Sequence, residues 1–290
     1  MGTMTSDGGN GESGRKVFAF FYGALVYIGV WCILLYIVGF VGNFFDPLLQ
    51  SKWAQVIAFK SIDMGIQEPV WKAAIIDIAL VCILGLQHSI MPRPWFKAWV
   101  TRFVPKHLER STYIIFAICA LSLLIWQWRP ITTVIWNVDN PVFRVILQLI
   151  SLGGWITVLV ATFLVGHWKI FGVAQVLDYI EDKPYTHEDQ EKPSAEFYPS
   201  QEFYRVGWPI TRRGLWYYAR HPDFFGFCTA FWVTPTMTVG HLIFALGLTI
   251  YIMFGIFFLE RNLSDLYGEP YRQYVRTRSK IIPWFVKEND

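Results

Sequence analysis

Long apolar runs alternate along the chain with shorter polar stretches rich in basic residues and proline. The first run, Val17 to Val41, is long enough to cross a bilayer, whose hydrocarbon takes about 20 apolar residues in a helix. A second runs from Ala73 to Met91. A third starts after Ser111 or Thr112, either of which can cap a helix, and ends at Trp128-Arg129-Pro130. A fourth spans Val142 to Val165, where Ser151, Gly153 and Gly154 offer a small surface for close helix contact. The last run, Pro222 to Leu259, breaks near Thr238-Val239-Gly240-His241 with Pro235 just before it. It predicts two antiparallel helices, each roughly 27 to 30 Å long at about 1.5 Å per residue, the second closing at Glu260-Arg261. The pattern predicts an all-α polytopic integral membrane protein with about six transmembrane helices.

The polar stretches divide the chain into three parts. Residues 1–16 are Gly- and Ser-rich, lack a signal-peptide cleavage pattern and are expected to be disordered. Met1-Gly2-Thr3-Met4-Thr5-Ser6 matches the loose myristoylation pattern, but one acyl chain adds little to a chain that already spans the bilayer. Residues 17–165 form a four-helix membrane half. Residues 166–290 hold a long polar segment, the apolar hairpin and a tail. The segment Gly166 to His221 opens with an interfacial helix over Ile170 to Ile180 and continues through an acidic, proline-containing stretch, Thr186 to Phe203. It must lie outside the lipid, where irregular backbone can be hydrogen-bonded. No solenoid repeat or heptad run appears.

Composition supports this division and adds an orientation. Hydrophobic residues make up 54% of the 290, and aromatic residues 18%, more than a single soluble core of this length needs. The net charge of +3 is too small to imply a nucleic-acid partner. With the amino terminus in the cytosol, only Lys52, Lys60, Lys72, Arg129 and Arg144 of the 25 Lys and Arg lie outside. This follows the positive-inside rule for a plasma (inner) membrane protein, and places the long segment, Arg220, His221, Glu260 and the tail on the cytosolic face. Cys32, Cys82, Cys119 and Cys228 each fall inside an apolar run, with no C-x-x-C pair and no cluster with histidine. They read as small core residues, and no disulfide framework or metal site is expected. The signatures of phosphate-binding loops, dinucleotide folds, zinc hydrolases and serine hydrolases are absent from the sequence.

Chemistry-bearing residues gather where the hairpin meets the polar segments. Pro222 suits the first position of a helix and Asp223 suits the positive end of its dipole, so Arg220 and His221 stand at the helix mouth. The hairpin returns Glu260 to the same level. An acidic group near bilayer depth is costly without a partner, so Glu260 either pairs with Arg220 or Arg261 or grips a cationic ligand. Tyr271 and Tyr274, three residues apart, share a helix face. His167 lies just past the fourth span on the same side. His88, late in the second span, reads as a hydrogen-bonded structural histidine. Phe224, Phe225, Phe227, Phe231 and Trp232 stand close together on the first hairpin helix and are expected to leave a small, dry cavity.

Gly214-Leu215-Trp216-Tyr217-Tyr218-Ala219-Arg220-His221-Pro222-Asp223-Phe224-Phe225-Gly226, Glu260-Arg261-Asn262-Leu263 and Tyr267-Gly268-Glu269-Pro270-Tyr271-Arg272-Gln273-Tyr274 resemble the carboxy-terminal signature of the isoprenylcysteine carboxyl methyltransferase superfamily. In the amino-terminal half, Gln87-His88-Ser89, Arg93-Pro94, Pro105-Lys106 to Glu109-Arg110-Ser111-Thr112-Tyr113 and Trp126-Gln127-Trp128-Arg129-Pro130 resemble the NnrU-like half of methanethiol S-methyltransferases, as does His167 to Gly172. Phe224 stands where the superfamily usually has tyrosine, Leu259 replaces the first of two adjacent glutamates, and Asp223 occupies a mostly apolar slot. The resemblance implies direct methyl transfer from S-adenosyl-L-methionine to a small thiol, such as methanethiol to dimethyl sulfide, with no metal. It implies that Arg220 and His221 favour the thiolate, and that His167, Trp216, Tyr218, Glu260, Arg261 and Tyr271 contact the cofactor. The rival expectations are a prenylcysteine or lipid acceptor, a non-catalytic NnrU-like membrane protein and a small-molecule transporter.

Overall fold

The computed structural model describes residues 7–44, 60–183 and 214–282. Helices dominate it: α1 (Asp7–Gly42), α2 (Val70–Ile90), the short α3 (Pro94–Val100), α4 (Lys106–Gln127), α5 (Pro141–Val165), the short pair α6 (His167–Ile170) and α7 (Val173–Ile180), α8 (Pro222–Trp232), α9 (Val239–Tyr267) and α10 (Glu269–Thr277). Five of them, α1, α2, α4, α5 and α9, are long and apolar enough to cross a membrane. Their buried faces meet in a main core built from Phe40, Leu80, Leu124, Trp128, Trp155, Phe231, Phe244 and Ile256, with smaller clusters where α1 meets α4 and α7. Their outward faces are also apolar, with Phe21, Leu25, Ile75, Leu149 and Phe254 exposed, as lipid contact requires. The protein is an all-α polytopic integral membrane protein.

The first leg of the hairpin departs from the expected full-length helix. Helix α8 has 11 residues, about 16 Å of rise against a hydrocarbon core of about 30 Å. Pro235 explains the stop, because a residue before proline is driven out of the helical region and proline itself has no N–H to donate. The chain continues extended into strand β2 (Thr236–Thr238), which pairs antiparallel with β1 (Val134–Asn137). The pairing answers the hydrogen-bond demand of backbone that has left the helix: Val138 N donates to the Pro235 carbonyl at 2.9 Å, and Trp136 Nε1 donates to the Thr234 carbonyl at 3.2 Å.

Two further differences concern helix ends. Helix α1 begins at Asp7, inside the stretch expected to be disordered, and the Lys16 ammonium meets the Asp182 carboxylate just past α7 at 2.5 Å. Helix α4 begins at Lys106 after Pro105, ahead of Ser111 and Thr112. Those two hydroxyls instead bond the Gly172 carbonyl at 3.5 Å and the Leu108 carbonyl at 2.8 Å. The cysteines also differ from the core reading. Cys32, Cys82 and Cys119 are exposed on the outer faces of their helices and Cys228 is partly exposed. A membrane helix can carry an apolar thiol on its lipid face at no desolvation cost.

The ribbon end of the bundle is cross-linked by polar contacts. Asp63 accepts from Thr238 Oγ1 at 2.6 Å and from Asn43 Nδ2 at 2.7 Å. Lys60 Nζ caps α4 by donating to the carbonyls of Trp128, Trp126 and Ile125 at 2.8, 3.0 and 3.4 Å. Burial, with Arg129 nearby, pulls the Lys60 pKa down to about 8. His241, which carried no signal in the sequence, is fully buried and bonds the Phe231 carbonyl through Nε2 at 2.9 Å.

Helix α8 is set by its contact with α5. Ser151 Oγ donates to the Ala230 carbonyl at 3.0 Å. A Cβ at Gly154 would lie 2.6 Å from the Gly226 carbonyl oxygen and 2.7 Å from Ala230 N, and one at Gly226 would lie 2.7 Å from the Gly154 oxygen. Nothing stands within 4 Å of a Cβ at Gly153. Gly154→Val should therefore cost about 1–3 kcal/mol by forcing two backbones apart, whereas Gly153→Ala should be near neutral. Paired thermal melts in detergent check the contrast, and equal midpoints for the two variants would contradict this packing.

Candidate active site

The end of the bundle opposite the ribbon holds a charge cluster built by α9, the mouth of α8 and the tail. His221 precedes α8 as its cap residue and Pro222 takes the first helical position. The 29-residue α9 carries Glu260 back to this level. Arg220 Nε lies 2.8 Å and His221 Nε2 3.0 Å from the same oxygen, Glu260 Oε1. Lys280 Nζ stands 4.0 Å from Oε2. The Arg220, His221 and Glu260 side chains are only 6%, 6% and 15% exposed, so their mutual attraction is screened less than that of a surface pair. Arg220, Lys280 and the His221 imidazole stand around the Glu260 carboxylate and bias this group to positive charge, with the Asp223 carboxyl interacting with His221 as well.

The tail is fastened under this cluster by backbone. Arg220 N donates to the Ser279 carbonyl at 2.9 Å and His221 N to the Lys280 carbonyl at 3.0 Å, an isolated parallel bridge that brings Lys280 beside Glu260. Arg220 Nη1 donates to the carbonyls of Val275 and Arg278 at 2.5 and 3.2 Å. Tyr274 Oη donates to the Trp216 carbonyl at 3.1 Å. Arg220 Nε–H has no aligned hydrogen-bond acceptor among the described residues, although Glu260 is close.

Sequence-predicted residues fall in three places. Arg220, His221, Glu260, Tyr271 and Trp216 belong to the cluster or its immediate support. Tyr271 is 5% exposed and its ring centroid lies 5.9 Å from that of Tyr274. Burial and then the Glu260 charge raise the Tyr271 phenol well above its ordinary value, which keeps it a hydrogen-bond donor. Tyr218 is 55% exposed and joins through its backbone, its carbonyl accepting from Ser279 Oγ at 3.2 Å. Arg261, one residue on from Glu260 and so about 100° around the helix, is exposed. His167 lies in a separate aromatic cage. Its Nε2 meets Tyr27 Oη at 3.0 Å, its Nδ1 meets Thr162 Oγ1 at 2.9 Å, and its ring stacks on Phe163 at 4.1 Å. Burial lowers its pKa. None of these His167 contacts is with the Glu260 cluster.

The aromatics of α8 divide differently from the expected small cavity. Phe227 and Phe231 pack edge-on against Trp155 in the bundle core, at 5.9 and 5.7 Å between centroids. Phe224 stands against His221, with 5.5 Å between centroids. Phe225 lines a cleft of about 650 Å³ with Cys228, Met253 and the tail residues Lys280 to Ile282, and Trp232 lines it too while packing on the core and donating through Nε1 to Thr249 Oγ1 at 2.8 Å. His88 matches its structural reading, with Nδ1 3.1 Å from the Leu84 carbonyl. Lys280 and Ser279 were not singled out from sequence. Their one visible signal was the basic run Arg276 to Lys280, which also reads as an ordinary membrane-surface anchor.

These features define a helical integral membrane protein with a buried, positively biased charge cluster at the foot of a hairpin. The chain is 40% identical over 269 residues to methanethiol S-methyltransferase 1 of Bradyrhizobium diazoefficiens, covering 93% of this chain and 83% of that protein. It is 40% identical over 274 residues to the methanethiol S-methyltransferase of Crocosphaera subtropica, covering 94% and 95%. It is 37% identical over 270 residues to that of Mycobacterium tuberculosis, covering 93% and 98%. No family model and no solved structure matches the chain. The chain belongs to the methanethiol S-methyltransferase family.

Proposed function

We propose that the protein transfers a methyl group from S-adenosyl-L-methionine to methanethiol, giving dimethyl sulfide, on the cytosolic face of the plasma (inner) membrane. The observation that carries this reading is the Glu260 carboxylate held between Arg220 and His221, on residues that bear the superfamily resemblance, in a chain that belongs to this family. The positive-inside distribution of basic residues supports the orientation.

The residues present fit the methyl donor. Glu260 suits its cationic groups, and the protonated Tyr271 phenol and the buried Trp216 supply a donor and a flat apolar face. His167, Tyr218 and Arg261 are assigned to it by the resemblance alone. When bound, S-adenosyl-L-methionine supplies a methyl group already activated on a positively charged sulfur. The chain's own task is then to present a thiolate. A thiol with a reference pKa of about 8.5 or above is mostly protonated at neutral pH, and the excess positive charge of Arg220 and Lys280 over Glu260 favours its anion. With Glu260 accepting from His221 Nε2–H, Nδ1 is the basic atom of the neutral imidazole and can take the thiol proton. Placement and exclusion of water complete the contribution, because transfer consumes charge and needs no covalent enzyme intermediate.

Purified protein given methyl-labelled S-adenosyl-L-methionine and methanethiol should release volatile labelled thioether. Labelled methyl ester formed on a prenylated cysteine, with no volatile product, would replace this reading with the prenylcysteine one. Orientation is checked separately on Tyr218→Cys at the cluster end and Asp139→Cys at the ribbon end, both exposed positions. An impermeant maleimide should reach only the Asp139 variant in intact cells. Labelling of the Tyr218 variant from outside would remove the cluster from the cytosolic face.

A further inference from the structure

The cleft beside the cluster is far larger than the assigned acceptor. Its volume is about 650 Å³, inside the range of about 300–1,000 Å³ typical of sites for small organic ligands. A thiol of two heavy atoms fills on the order of 60 Å³, taking about 30 Å³ per water-sized group. The lining is apolar and aromatic along α8, where Phe225, Cys228 and Trp232 recur at helical spacing, and Met253 of α9 closes the far wall. At one lip lies the tail segment, with Lys280, Ile281 and Ile282. This is the segment whose carbonyls bond the amides of Arg220 and His221, and Lys280 Nζ is 4.0 Å from Glu260 Oε2. The cleft therefore begins at the charge cluster and runs away from it along apolar walls.

That combination matches one kind of molecule. The positively biased end fits an anionic sulfur, and the walls fit a hydrocarbon chain attached to it. We propose that the cleft takes the alkyl chain of apolar thiols longer than methanethiol, and that the protein methylates straight-chain alkanethiols as a class. The inference rests on the proposed methyl transfer. In the step, the thiol proton goes to His221 Nδ1 and on to water, and the thiolate sulfur forms a new S–CH3 bond. The S–CH3 bond of S-adenosyl-L-methionine breaks, and its electron pair stays on the donor sulfur to leave neutral S-adenosylhomocysteine. Each methylene buried against the cleft wall should raise apparent affinity about fourfold, so affinity should rise with chain length until the cleft is filled.

Two readouts test this on the full-length protein in detergent. In the first, methanethiol, butanethiol and hexanethiol are compared as acceptors with labelled S-adenosyl-L-methionine. All three should be methylated, KM should fall from methanethiol to hexanethiol, and Cys228→Phe should lower the ratio of hexanethiol to methanethiol turnover about tenfold. Met253→Trp, which narrows the opposite wall, should shift the ratio in the same direction if the Cys228 variant does not fold. The second readout needs no turnover. In protein with Cys32, Cys82 and Cys119 replaced by alanine, the rate of maleimide labelling at Cys228 is followed as hexyl methyl sulfide, the expected product, is added. Labelling should slow saturably, by at least about tenfold. Methanethiol turnover without butanethiol or hexanethiol turnover overturns the inference and leaves the proposed function standing. Cys228 labelling indifferent to the thioether overturns it whatever the turnover. Absence of methanethiol turnover as well sinks the proposed function and the inference with it.

Discussion

A carboxylate at the foot of a membrane hairpin has to be partnered, and the way Glu260 is partnered fixes the surrounding structure. Arg220 and His221 converge on one of its oxygens, joining the residues just before α8 to the last turns of α9 and closing the hairpin at that end. Removing one partner of a buried pair of this kind costs about 3–5 kcal/mol, because the other charge is left uncompensated. The same Arg220 reaches past Glu260 to the carbonyls of Val275 and Arg278, and its amide and that of His221 are clipped to Ser279 and Lys280. One ion pair thus orders two helices and the tail. The backbone bridge beside it brings Lys280 up to Glu260, and Tyr274 is tied to the Trp216 carbonyl.

The opposite end is built for rigidity. Helix α8 stops short, and the crossing is completed by extended chain that would be untenable in lipid unless its polar groups were bonded. Strand β1 supplies that bonding, and Asp63, Asn43 and Thr238 tie the ribbon to the end of α1 and the start of α9. Close approach of α5 and α8 at Gly154 and Gly226 holds the short helix against the bundle. The inward aromatics of α8 enter the core while Phe225 and Trp232 line the cleft. A fixed α8 gives both the charge cluster and the cleft a stable wall.

Much of this was legible in the sequence, and the exceptions have physical causes. Long apolar runs report membrane helices well, because a bilayer imposes a length and a composition on every span; the ends of α2 and α5 fall within a few residues of the runs that predicted them. The short α8 was missed because the apolar run passes Trp232 into Val233 with no charge or glycine to mark the helix end, and hydropathy does not distinguish helix from extended chain. Pro235 was the available signal. The meeting of Arg220, His221 and Glu260 was readable from equal hairpin legs, and it survives the change in the first leg, because an extended strand reaches the far side as a helix would. Lys280 was not readable, since its place depends on a backbone bridge between Ala219 and Ser279 that no periodicity announces. The cage around His167 was hidden for a related reason, as its partners Tyr27 and Thr162 come from the first and fourth spans.

The account turns on Glu260 being both the anchor of the hairpin foot and a contact for the methyl donor. Titration of S-adenosyl-L-methionine into detergent-purified protein, wild type and Glu260→Gln, tests that most directly. Glutamine keeps the shape and removes the charge. The account predicts saturable binding to the wild type and a loss of about 1–3 kcal/mol in the variant, roughly 5- to 150-fold in Kd. A folded Glu260→Gln protein that binds S-adenosyl-L-methionine with unchanged affinity would contradict it.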